Sequence, residues 1–69
     1  MEIRYTLHSE EQITERKIEK VWVEETTRYP DKISVIGKKH YAIRKINGGV
    51  LKVVYVKEKY IKIITVYWA

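Results

Sequence analysis

The chain opens on alternation. From Glu2 to Leu7, apolar Ile3, Tyr5 and Leu7 interleave with Glu2, Arg4 and Thr6, the period of a strand with one buried face. The period then lengthens. Ser9, Glu10, Glu11 and Gln12 form a capping-box signature with acids in the first turn, which predicts a first helix running to about Arg16. Ile18, Val21, Trp22 and Thr26 recur at helical spacing and predict a second helix that ends before Pro30. No glycine separates the two, so one continuous bent helix fits the pattern equally well at this point.

From Lys32 onward the period is two. Lys32 to Ile36, His40 to Ile46, Val50 to Val56 and Tyr60 to Trp68 read as strands, separated by GKK, NGG and KEK. Read as three-residue turns, these pair Ile36 with His40, Ile46 with Val50, and Val56 with Tyr60. The predicted fold is α+β: a single domain over residues 1–69 in the order β-α-α-β-β-β-β, with two N-terminal helices packed on one face of an antiparallel sheet.

That register sorts the side chains into two faces. Ile33, Val35, Tyr41, Ile43, Leu51, Val53, Tyr55, Ile61, Ile63, Thr65 and Tyr67 are expected under the helices, with Lys45 their one charge. Lys32, Ser34, His40, Arg44, Lys52 and Lys62 are expected on the open side among Ala42, Val54, Ile64 and Val66, with Tyr60 and Trp68 near its ends. Trp22 is expected between helix and sheet. Arg44 would face Lys52, with Lys32 in the same row, an arrangement that is repulsive unless an anion lies between.

Charge sharpens this picture. Residues 1–31 hold five basic and eight acidic side chains, whereas residues 32–69 hold nine basic and one acidic. A basic second half points to an anionic partner, nucleic acid first and an acidic protein segment second. A solvated lysine-rich face and a homodimer face remain alternatives. A row of cations beside exposed aromatics suits a phosphate backbone with splayed bases, so Lys32, His40, Arg44, Lys52, Lys62, Tyr60 and Trp68 are the candidate nucleic-acid-binding residues.

Other chemistry is poorly supplied. There is no cysteine, and Asp31 is the only aspartate, so no metal site and no cofactor is expected. No P-loop, dinucleotide fingerprint, HExxH or Ser/His/Asp pattern is visible. No apolar run is long enough to span a bilayer and no signal-peptide pattern opens the chain, so no membrane partner and a cytoplasmic location are expected. Abundant Lys, Glu and Ile without Cys resembles the composition of thermophile proteins.

The run LHSEEQITERKIEKVWVEETTRYPDKI, with the hairpins and the closing YIKIITVYW, resembles the family of domains of unknown function numbered 4258. That family is similar to the RelE/ParE and BrnT toxin superfamily, as a compact relative. In its pattern a histidine opens the first helix, arginines follow four and eight positions later, and Ile, Val, a short acidic stretch and Pro come after. His8, Arg16, Ile18, Val23 and Pro30 match, whereas Gln12 stands where the first arginine belongs and Lys17 where a helix-ending glycine is usual. The resemblance implies a helix break near Lys17 and a RelE-like fold. It further implies a metal-independent ribonuclease acting through attack of the RNA 2′-hydroxyl, as part of a toxin–antitoxin pair with an acidic antitoxin. The first helix would then hold His8 and Arg16 for catalysis. His8 or His40 would serve as base or acid, Arg44 and Lys52 would stabilise developing charge, and a tyrosine such as Tyr67 would be an acid. The alternative is a non-catalytic module that binds nucleic acid or protein on the basic face.

Overall fold

The computed structural model describes all 69 residues. Strand β1 (Ile3–Tyr5) is followed by helices α1 (Leu7–Glu15) and α2 (Lys20–Arg28), then by β2 (Lys32–Ile36), β3 (Lys39–Ile46), β4 (Gly49–Lys57) and β5 (Ile61–Trp68). The strands form one five-stranded sheet in the order β1-β5-β4-β3-β2. Pairing is antiparallel except that β1 runs parallel to β5. Both helices lie on one face, so the predicted α+β class and element order hold. No helix is long and apolar enough to cross a membrane.

The helices start and stop for local reasons. Thr6, not Ser9, caps α1: its hydroxyl accepts from the Ser9 amide at 3.1 Å while the Ser9 hydroxyl donates to the Thr6 carbonyl. The expected capping box therefore does not form, and Gln12 is free for another task. At the far end Lys17 takes a left-handed φ of 53°, and the Ile18 amide donates to the Ile13 carbonyl at 3.0 Å, a Schellman closure. Ile13 and Ile18 both join the buried core. The break thus falls at Lys17, which accepts the strain that a glycine there would avoid.

The hairpins differ from the sequence reading. β2 and β3 are joined by the two residues Gly37 and Lys38, with Ile36 paired to Lys39. β3 and β4 are joined by Asn47 and Gly48, at φ 48° and 80°, with Ile46 paired to Gly49. The Asn-Gly dipeptide supplies the two positive φ angles of a type I′ turn, and Gly37 the one that a type II′ turn requires. Each turn is one residue shorter than expected, and one residue of register moves a whole strand's side chains to the opposite face. β3 is inverted as a result. A bulge between β4 and β5 has the same effect further on: Val54 pairs with Thr65 but Tyr55 with Ile63, leaving Ile64 as the extra residue.

The core therefore contains Ala42 and Ile46 from β3, Leu51, Val53 and Tyr55 from β4, and Ile61, Ile63 and Val66 from β5, packed beneath Ile13, Ile18 and Val23. Tyr41, Ile43, Thr65 and Tyr67, expected under the helices, lie on the open side. His40, Ala42, Arg44, Val66 and Trp68, expected on the open side, lie under the helices. Trp68 packs edge-on against Trp22 with ring centroids 5.9 Å apart.

Candidate nucleic-acid interface

The opening helix is an edge seal. β1 stops at Tyr5, leaving the outer half of β5 without a neighbouring strand, and α1 takes over its hydrogen bonds. The Thr6 amide and hydroxyl donate to the Ile63 carbonyl, the buried Gln12 side-chain oxygen accepts from the Val66 amide at 2.8 Å, and Arg16 donates to the Val66 carbonyl at 2.8 Å. The Trp68 indole N–H donates to the Arg16 carbonyl. Gln12 and Arg16 both serve this edge.

His8 is exposed in the first turn of α1, and eight residues of helix put it about 12 Å from Arg16. Arg44 lies beneath the helices, where it donates to the Tyr29 carbonyl and pairs with Glu25 at 3.8 Å. Its strand partner is Leu51, not Lys52. His40 stacks on Tyr55 with centroids 4.9 Å apart, and its Nδ1 is buried without a partner. His8, Arg16, Arg44 and Lys52 are therefore not brought together: Lys52 stands on the opposite side of the sheet from the other three.

The open side carries a different constellation. Lys32, Ile43, Lys52 and Tyr67 form one row across β2, β3, β4 and β5. Ser34, Tyr41, Val54 and Thr65 form the next, and Lys39, Val56, Lys62 and Arg4 the one beyond. The Lys52 ammonium lies 5.9 Å from the Tyr41 ring and 5.8 Å from the Tyr67 ring, a cation held between two aromatic faces. A shallow cavity of about 170 Å³ opens beside it, lined by Lys32, Ser34, Tyr41, Ile43 and Lys52 among others. Lys32 and Lys52 do share a row, as expected, but Ile43 separates them and removes the repulsion that Arg44 would have brought.

Charge is partitioned between the two sides. Strands β2 to β5 contain no carboxylate, and none of Lys32, Lys39, Lys45, Lys52 and Lys62 is in an ion pair. The acids cluster on the helices, where Glu10 pairs with Lys20, Glu24 with Arg28 and Glu25 with Arg44. Asp31 is engaged by the Lys45 backbone amide at 2.8 Å. At the β1 corner Arg4 is held by Glu2 and lies 4.3 Å over the Tyr60 ring, so Tyr60 is already stacked.

The sequence reading found Lys32, Lys52 and Lys62 on this face but missed Tyr41, Tyr67, Lys39 and Lys45. Two signals were present: Asn47-Gly48 specifies a two-residue turn, and the Ile63-Ile64 doublet breaks the alternation where the bulge falls. Comparison with protein-family models, with curated proteins and with solved structures found no match to this chain.

Proposed function

We propose that this protein binds single-stranded RNA across the open face of its sheet, with Lys52, between Tyr41 and Tyr67, at the centre of the contact. The observation that supports this reading is the partition of charge. Five lysines without carboxylate partners share a face with no acid in its four long strands, and two tyrosines flank the middle one. Lysines neutralise phosphates, and the half-buried rings of Tyr41 and Tyr67 leave surface on which unstacked bases can lie, which a duplex does not offer. An exposed face needs polarity for solubility alone, but that requirement favours mixed signs rather than one.

A metal-independent ribonuclease of the RelE-like toxin type is a second reading with one observation in its favour. Tyr67, a phenol able to give a proton to the leaving oxygen, stands beside Lys52, a cation suited to developing phosphorane charge. No histidine lies on this face, so binding is the primary reading.

Fluorescence anisotropy with an unstructured oligoribonucleotide, repeated over a salt series, tests both. Lys52→Ala should weaken binding and reduce the salt slope by about 0.7, the contribution of one neutralised phosphate on a single strand. Tyr41→Ala and Tyr67→Ala should each cost about tenfold in affinity through lost stacking. Tyr67→Phe keeps the stacking face but loses the phenol, so it should bind like wild type and abolish any cleavage. Wild-type affinity and slope in Lys52→Ala would remove the proposal. Displacement of the RNA by polyglutamate of matched charge would reassign the face to an acidic protein segment.

A further inference from the structure

Strand β2 ends the sheet with nothing beside it. Ile33 and Val35, on the helix side, are 47% and 57% exposed because the helix layer rests on β3, β4 and β5, and Ile36, on the open side, is 68% exposed. Exposed edges are usually blunted by proline, a bulge or an inward-pointing charge. Within KISVI there is no proline, and the one charge, Lys32, stands at the start of the strand on the open side.

We propose that two copies of this chain meet at this edge, their β2 strands antiparallel about a two-fold axis at Ser34, so that two five-stranded sheets become one. The register follows from the hairpin. The two-residue turn closes on Ile36 and Lys39 as a hydrogen-bonded pair. Alternation then turns the N–H and C=O of Ser34 and Lys32 toward β3, and those of Ile33 and Val35 outward. In the two-fold arrangement Ile33 of each copy exchanges both hydrogen bonds with Val35 of the other, so every outward group between Lys32 and Ile36 is satisfied. The same pairing lets Ile33 and Val35 of the two copies cover one another on the helix side.

Hydrogen bonding and charge favour this register over those nearer the turn. Lys32 falls opposite Ile36 of the second copy rather than opposite its own counterpart, and Asp31 falls opposite Gly37, next to Lys38. Slipping by one residue sets outward groups against groups already bonded to β3. Slipping by two toward the turn brings Lys38 opposite Lys32. The interface is short, so the pair should dissociate on dilution rather than persist as an obligate dimer. The pairing stands whatever the open face binds, although it would make the two basic faces continuous.

The chain has no cysteine, which permits a clean test. Ser34→Cys places two thiols across the axis in a non-hydrogen-bonded pair, at a separation a disulfide can span. It should therefore cross-link at least about tenfold faster than Lys32→Cys, which faces Ile36. In sedimentation equilibrium the wild-type mass should rise with concentration from 8.3 kDa toward twice that value. Val35→Pro removes only an outward N–H, so it should fold normally by circular dichroism yet stay a single copy at every concentration. Ile33→Lys should do the same through an interfacial charge. Single-copy mass for the wild type into the millimolar range, or equal cross-linking of the two cysteine variants, would overturn the proposal. So would a single copy that instead takes an extended peptide along β2.

Discussion

At the β5 edge, where β1 ends after Tyr5, side chains from α1 continue the ladder: Gln12 and Arg16 satisfy the amide and carbonyl of Val66, and Thr6 the carbonyl of Ile63. At the β2 edge nothing continues it, and the whole strand is exposed. The contrast shows how a helix with few apolar residues can still be structural. Its contribution is polar satisfaction at one edge, where a lost partner leaves a buried backbone group stranded.

The largest expected effect lies at the sealed edge. Gln12→Leu keeps the volume but leaves the Val66 amide without an acceptor, and should cost about 2 kcal/mol in urea denaturation. A loss under about 0.5 kcal/mol would mean that α1 covers the edge without sealing it.

A smaller effect, visible only in alkali, concerns Tyr5 on β1. Burial, reinforced by the negative charges of Glu24 and Glu10, pushes its phenol up to about 12. The folded state thus holds a neutral phenol that the unfolded chain would ionise above pH 10. Stability is therefore unaffected by this phenol's ionisation below pH 10, where it is neutral in both states, and falls as pH rises from there toward about 12. Tyr5→Phe should flatten that part of the stability profile by about 1 kcal/mol, the half-buried ring being partly screened by solvent. At neutral pH it should be neutral or slightly stabilising, because the hydroxyl is buried without a partner.

The smallest effect belongs to the bare edge. Val35→Thr, in dilute solution where the chain is a single copy, should change stability by less than about 0.5 kcal/mol. A larger loss would show that β2 packs against something in the single copy, and the contrast between the edges would weaken.

Much of the fold was legible in the chain. The early alternation, the helical spacing of Ile18 and Trp22, and the four later strands each carry a local period, and such periods arise within a few residues of backbone. The unequal split of charge was equally plain and does correspond to an acidic helix layer and a basic sheet face. Lys52 and Lys62 were read onto the open side correctly, since β4 and the first half of β5 kept their expected phase.

The sides taken by β3 and by the end of β5 were a different matter. Whether Arg44 or Tyr41 flanks Lys52 depends on whether the turn at Asn47 has two residues or three, and Tyr67 reaches the open side only because Ile64 is an extra residue in its strand. The sequence by itself determined the order and type of the elements and the separation of charge along the chain, because those are local properties of residues and their spacing. Only the tertiary structure decided which side each cation faces and what Gln12 and Arg16 are for. Strand faces depend on a register where one residue inverts everything beyond it, and a polar side chain's role depends on which backbone group, some fifty residues away, is left without a partner.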